Sequence, residues 1–328
     1  MGEPSPGKRF LNRPSPKSLV FLGPWDERVV KSFYHSFALS GMIFRRQGLW
    51  VPAPDTSNST PASLSDSFRL DQRVSVVTGG TRNLGWNMAL ALAEAGSAVI
   101  VTSRDLAAAK SAAEAISARC PIETLGLELE VSSFDSVAAM SAAAIAWKGG
   151  VDVLVNNAPG HLGGRPTDLF ERLPGSIEEM VHGNICGTLW CCRELGRHMR
   201  DRGRGSIINI ASIAGLLGRD RRMYADHGMS EQPVDYAASK AGLLGLTMDL
   251  AAKLGPHGVR VNAISPGGFD NGKLDRGFVS AYGARTALGR MGRMASDLKG
   301  AVVFLASEAS AYITGQNLVV DGGFSIFH

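Results

Sequence analysis

From Leu64 onward the chain alternates short β-branched runs with longer Ala- and Leu-rich stretches, and this alternation constrains its fold more than any other feature. A continuous apolar run of four to six residues bounded by turn residues fits a strand covered on both faces. Parallel strands need a crossover long enough to hold a helix, and the intervening stretches have that length and a helical spacing of apolar residues. Strands are expected at 73–77, 98–102, 124–129, 151–155, 206–210, 260–264 and 317–320. Helices are expected at 84–95, 106–119, 135–147, 177–200, 234–253 and 297–307. The pattern predicts an α/β fold: a doubly wound, seven-stranded parallel sheet with helices on both faces, formed by residues 64–328.

A chain of 328 residues that is 45% hydrophobic and 20% charged can bury a sizeable core, which excludes global disorder. The whole net charge of +4 lies in residues 1–63, where eight basic residues face four acidic ones. The remaining 265 residues balance 26 against 26, which leaves no basic footprint for nucleic acid or an anionic membrane. Cys120, Cys186, Cys191 and Cys192 lack zinc spacing and read as small buried hydrophobes in a reducing compartment. No apolar run is long enough to span a bilayer, so a cytoplasmic location is expected. Pro-rich stretches flank residues 19–50, and residues 1–63 read as a disordered or loosely docked extension. An organelle transit peptide fits its acids and prolines poorly; a start upstream of the true initiator, with Met42 as that initiator, is the other reading.

Chemistry concentrates at the ends of the expected strands. The first strand runs into Thr78-Gly79-Gly80-Thr81-Arg82-Asn83-Leu84-Gly85 and then a helix. Such a turn brings backbone close to a pyrophosphate and aims helix N-terminal amides at its charge. The second strand ends in Thr102-Ser103-Arg104, where a carboxylate would bind the ribose of NAD(H). Ser103 and Arg104, with Arg82, offer a donor and positive charge to a 2′-phosphate instead, which favours NADP(H) over NAD(H). Tyr236 and Lys240 stand four apart at the start of a helical pattern, so an ammonium shares a face with a phenol and favours its phenolate. Ser212 ends the fifth strand, on the edge where doubly wound sheets bind their ligands.

Together these residues resemble the short-chain dehydrogenase/reductase family in its compact, Rossmann-type single-domain branch, over about residues 64–327. Thr78 to Gly85 is similar to the family's glycine-rich turn, Asn156-Asn157-Ala158 to its segment after the fourth strand, and Pro266-Gly267 to the loop that cups the nicotinamide. Asn184, Ser212, Tyr236 and Lys240 match its catalytic tetrad. The resemblance implies that Tyr236 exchanges a proton with the alcohol or carbonyl oxygen and that Lys240 tunes it and holds the nicotinamide ribose. Ser212 would hold the substrate oxygen, and Asn184 a water linking Lys240 to solvent. It also implies cofactor contacts at Gly79, Thr81, Arg82, Asn83, Leu84, Ser103, Arg104, Glu130, Val131, Asn157, Ala158, Pro266 and Gly267, and no metal.

The chain departs from that pattern at several points. Asn83 replaces a glycine, Glu130 stands for an adenine-contacting Asp, and Pro159 follows Ala158 where glycine is usual. Ser212 and Tyr236 lie 24 positions apart, about twice the family's common spacing. The added segment, 218–233, is anchored at both ends on the catalytic edge and is therefore expected to shape the substrate pocket. It carries Arg219, Arg221 and Arg222, which read as attractors of an acidic substrate or as solvated residues interleaved with Asp220, Asp226 and Glu231. Pocket candidates are Pro159, His161, Leu162, Ile213, Tyr224, His227 and Phe269.

These regions are similar to gluconate 5-dehydrogenase-like proteins, which implies a dehydrogenase or reductase interconverting a secondary alcohol and a ketone, the small-molecule substrate a sugar acid, polyol or related carbonyl compound. A 3-oxoacyl-[acyl-carrier-protein] reductase is the second enzymatic reading, and a non-catalytic NADP(H)-binding regulator the alternative of another class. Apolar surface on the helices at 177–200 and 234–253 suits a homotetramer, or a homodimer.

Overall fold

Where both faces of a β-branched run can be covered it becomes a strand, and this happens seven times in one sheet. The computed structural model describes residues 63–159 and 166–327. The strands are β1 (Val74–Val77), β2 (Ala98–Ser103), β3 (Thr124–Glu128), β4 (Val153–Asn156), β5 (Gly205–Ile210) and β6 (Val259–Pro266), then the two-residue pair β7 (Phe269–Asp270) and β8 (Gly292–Arg293), and β9 (Asn317–Val320). The large sheet has the order β3-β2-β1-β4-β5-β6-β9 with every pairing parallel. Strand order reverses between β1 and β4, the place where such sheets open a ligand crevice.

A single helical turn, Leu64–Ser67, precedes β1, and helices α1 (Asn83–Glu94), α2 (Leu106–Ser117), α3 (Phe134–Lys148), α4 (Pro174–Val181), α5 (Gly187–Arg202), α6 (Arg222–Ala225), α7 (Val234–Leu254), α8 (Arg276–Gly283) and α9 (Lys299–Ala306) follow. Successive strand residues point to opposite faces, so Val77 and Val76 enter different cores. On one side Met88 and Leu92 of α1, Ile116 of α2 and Val302 of α9 pack against Val77, Val101 and Ile208. On the other, Val137 of α3, Leu195 of α5 and Leu254 of α7 pack against Val76, Leu154 and Ile207. Each such side chain contributes roughly 1.5–3 kcal/mol by leaving water. Cys191 and Cys192 sit in the second core, where burial pushes the Cys191 thiol up to about 12 and raises Cys192 further.

The strand and helix ends lie within one or two residues of expectation in most elements, the usual scatter at frayed termini. One helix differs in kind. The expected helix 177–200 is α4 and α5 joined through a π-turn, His182–Cys186, which holds Asn184. A π-turn widens the helix by one residue without disturbing its apolar spacing on either side, so the pattern does not announce it. The short elements α6, β7 and β8 also lack a periodic signal, and α8, which does bury Phe278 and Tyr282 on one face, runs for only eight residues. The extension 1–62 and His161 and Leu162 lie outside the described residues.

Candidate active site

The carboxyl ends of β1, β4, β5 and β6 open onto a cleft of about 2110 Å³. Its cofactor end is made by the β1–α1 turn. Gly79 (φ +63°) and Asn83 (φ +50°) adopt the left-handed backbone, which asparagine tolerates better than most residues and which keeps the turn intact without a second glycine. Gly85 is required for a different reason: a Cβ there would stand 2.3 Å from the Gly79 carbonyl oxygen and 2.5 Å from Asn157 Nδ2. The turn is tied to β4 by Thr78 Oγ1, which accepts hydrogen bonds from Asn157 N (2.9 Å) and Ala158 N (3.0 Å). Asn157 Nδ2 returns the contact to the Thr78 and Gly79 carbonyls at 2.9 and 3.1 Å. Arg82, at the start of α1, makes no side-chain cap, so the first-turn amides are left for an anion.

Thr81, Arg82, Asn83, Leu84, Ser103, Arg104, Glu130, Val131, Asn157, Ala158, Pro266 and Gly267 all line this cleft with Gly79. Arg104 Nη1 lies 4.0 Å from Glu130 Oε2, while Glu130 Oε1 accepts from Ser132 N at 3.0 Å. These residues fit a dinucleotide: close backbone for the pyrophosphate, amides for its charge, and polar side chains around an adenosine.

At the reaction end, Ser212 follows β5 and caps the short turn 213–215, its Oγ accepting from Ala214 N at 3.1 Å. Tyr236 and Lys240 project from the first turns of α7, both buried and both on the cleft wall. Lys240 Nζ donates to the Ile210 carbonyl at 2.7 Å and lies 5.7 Å from the centre of the Tyr236 ring. Burial raises the Tyr236 phenol above its ordinary value; hydrogen bonding with Ser212, the Arg219 charge and hydrogen bonding with Gln232 act against it. Burial also brings Lys240 down to about 8. Asn184 is buried behind the lining, its Nδ2 directed at Met180 Sδ (3.0 Å), while its neighbours His182 and Gly183 reach the cleft.

A family model described as enoyl-(acyl carrier protein) reductase matches residues 79–325. A 3-oxoacyl-[acyl-carrier-protein] reductase of Aquifex aeolicus is 34% identical over 78% of this chain and 98% of its own. Gluconate 5-dehydrogenase of Gluconobacter oxydans is 31% identical over 80% and 98%. The crystal structure of a gluconate 5-dehydrogenase from Burkholderia cenocepacia, in complex with NADP and tartrate, superposes with a TM-score of 0.71 at 32% identity, covering 80% of this chain and 98% of that one. The chain belongs to the short-chain dehydrogenase/reductase family. It is an NAD(P)(H)-dependent oxidoreductase acting on a secondary alcohol and its ketone.

The substrate side of this short-chain dehydrogenase/reductase is built by segments far apart in the sequence. Met223 and Tyr224 of α6, Phe278 and Tyr282 of α8, Met291 and Phe324 form an apolar cluster over the cleft. Tyr282 stacks on Phe324 at 4.5 Å and its hydroxyl accepts from Gly268 N at 2.6 Å. Pro159, Ile213, Tyr224 and Phe269 line the cleft. His227 does not; its Nδ1 lies 3.2 Å from Asp275 Oδ1 and its ring meets the edge of Phe278. The sequence places Thr78 at the head of the turn without assigning it a tie to β4, and it does not single out Gln232 or the buried pair Arg172–Asp235 (2.8 Å), which ties the segment before α4 to the start of α7. Thr78 was reachable in principle: its position opening the turn is the signal. For Arg172 no local signal exists, because its partner lies 63 residues away. No described helix is long and apolar enough to cross a membrane.

Proposed function

We propose that this chain is an NADP(H)-preferring reductase or dehydrogenase of a sugar acid, polyol or related carbonyl compound, with catalysis confined to residues 64–328 and no chemistry in the extension before them. The observation that carries the reading is the convergence of Ser212, Tyr236 and Lys240 at one end of a cleft whose other end is the β1–α1 turn. A bound nicotinamide would supply or accept the hydride. Tyr236 donates a proton to the carbonyl oxygen in reduction and takes it from the alcohol in oxidation, and Ser212 holds that oxygen. Lys240 is anchored on Ile210 beside the phenol, placed to hold a ribose hydroxyl and to favour the phenolate. Asn184 supports this end from within the π-turn.

Two features support the cofactor preference. Ser103, Arg104 and Arg82 reach the cleft, and the Oδ1 of Asp105, which lines it as well, is engaged in capping α2 through Ala107 N and Ala108 N. A 2′-phosphate there would meet the Arg82 and Arg104 cations and compete with Glu130 for Arg104. Exposed Leu189 on α5 and Val234 and Met248 on α7 support assembly into a homotetramer, and the buried free thiols support a cytoplasmic setting.

The test is oxidation of NADPH and NADH at 340 nm against ketogluconates, ketoses and acetoacetyl thioesters. Turnover of a ketogluconate or ketose with NADPH preferred at least about tenfold is expected, and Tyr236→Phe should lower kcat by about 10³-fold while NADPH still binds. Preference for NADH, turnover of the thioester alone, or an active Tyr236→Phe enzyme would each overturn its part of the reading.

A further inference from the structure

The three arginines between Ser212 and Tyr236 stand in different electrostatic situations. Arg221 pairs with Glu231, and Arg222 with Asp220 at 2.9 Å, an acid that also meets Arg285 at 3.2 Å. Both are exposed residues whose charge the loop's own acids answer. Arg219 is half-buried on the cleft wall, and its hydrogen bonds all go to neutral oxygens: Nη1 to Gln232 Oε1 (3.1 Å), Nη2 to the carbonyls of Gln232 (2.9 Å) and Pro233 (3.4 Å). Among the described residues no carboxylate pairs with it, and these three bonds leave two of a guanidinium's five N–H donors without a partner.

Burial works against this charge, Glu231 favours it only from a distance, and among the described residues no carboxylate is bonded to it; the Gln232 side chain and two backbone carbonyls hold the group in place instead. A cation fixed by neutral acceptors and facing a cleft is preorganised for an anion. Gln232 stands between it and the chemistry: its side chain accepts from Arg219, and Gln232 lines the same cleft as Tyr236, whose phenol it helps to lower. An anionic group at Arg219 would thus sit within one small molecule of the proton-transferring oxygen, with Met223, Tyr224 and Phe269 to contact the carbon chain.

We propose that Arg219 binds an anionic group of the substrate, a carboxylate or a phosphate, and makes the enzyme select acidic over neutral carbonyl compounds. This rests on the assignment of Ser212, Tyr236 and Lys240 as the reaction centre.

The full chain loaded with NADP+ is tested by thermal shift with sodium gluconate, glucose 6-phosphate and sorbitol, as wild type, Arg219→Gln, Arg219→Lys and Arg222→Gln. One of the two anions should raise the melting temperature of the wild type and Arg222→Gln, less that of Arg219→Lys, and not that of Arg219→Gln; which anion protects tells carboxylate from phosphate. With NADPH, the ratio of kcat/KM for 5-ketogluconate (or fructose 6-phosphate, if phosphate protects) to that for neutral sorbose should fall about 10- to 100-fold in Arg219→Gln, mainly through KM. An unchanged ratio, equal protection of Arg219→Gln by the anion, or an equal loss in Arg222→Gln would overturn the proposal. Anion protection that depends on Arg219 without turnover of any ketone would leave this site standing and sink the reaction assigned to it. Ketone turnover with an unchanged ratio would do the reverse.

Discussion

At the β1–α1 turn the wall of the cleft is backbone: left-handed Gly79 and Asn83, a Gly85 with no room for a methyl group, and carbonyls and amides pinned by Thr78 and Asn157. Across the cleft, between Ser212 and Tyr236, the wall is side chains supplied by α6, α8 and the C-terminal residues, held by aromatic contacts and ion pairs. The first wall recognises what every dinucleotide shares, a pyrophosphate, and needs particular backbone geometry at a few consecutive positions. The second recognises one substrate and is free to differ wherever a side chain differs. Conformational constraint and chemical variety are thus divided between the two ends of one cavity.

The largest effect that separates the two walls is expected at Asp235→Asn. Arg172 and Asp235 are both about 95% buried, and the substitution leaves the guanidinium inside the protein without a counter-charge, held only by neutral acceptors such as the Pro166 and Ser176 carbonyls. Breaking such a pair costs about 3–5 kcal/mol, more than the pair gains over an apolar replacement. Urea unfolding should show that loss, and proteolysis should cut first near residues 166–176, while NADPH affinity measured on the folded fraction changes little. A loss below 1 kcal/mol would mean that Arg172 finds water or another acceptor, and the substrate wall would not hang on this pair.

Gly85→Ala tests the opposite wall and should cost less, about 1–3 kcal/mol, because a single methyl group forces α1 away from the turn rather than stranding a charge. Its signature lies in binding: NADPH affinity should fall by about tenfold or more, with the thermal response to substrate-like anions intact once the protein is saturated with cofactor. Unchanged NADPH affinity would show that the turn adapts, and the contrast between a rigid and a variable wall would lose its basis.

This division also explains what was legible in the sequence. Glycines in a turn, a strand ending in Ser103-Arg104, and Tyr236 four residues before Lys240 are local patterns whose meaning follows from backbone geometry and helical spacing, and the sheet follows from alternation along the chain. The aromatic cluster of Tyr224, Phe278, Tyr282 and Phe324 spans a hundred residues and has no period; only the folded chain brings it together. The π-turn at Asn184 is hidden for a related reason, since its single extra residue leaves the apolar pattern of α4 and α5 readable as one helix. His227 illustrates the converse: its place in the loop suggests the pocket, but its contacts are with Asp275 and Phe278 and it is not among the residues lining the cleft.

The smallest effect expected is a pH shift by which the variable wall acts on the reaction centre. Burial raises the Tyr236 phenol, and the Arg219 charge is among the influences that lower it again by favouring the phenolate. In the proposed mechanism oxidation of an alcohol uses Tyr236 as a base, so its rate should rise with pH as the phenol ionises; reduction uses the proton and should fall over the same range. Removing the charge in Arg219→Gln takes away a stabiliser of the phenolate, so the phenol holds its proton to higher pH. Both limbs should therefore move to higher pH, the oxidation limb losing rate and the reduction limb gaining it at a given alkaline pH. Measuring kcat with a neutral substrate isolates this influence from anion binding, because no carboxylate is then present to report the loss of Arg219. If the limb stays put while the acidic-to-neutral selectivity collapses, Arg219 serves recognition alone; if the limb moves as well, the variable wall also tunes the chemistry that Tyr236 performs.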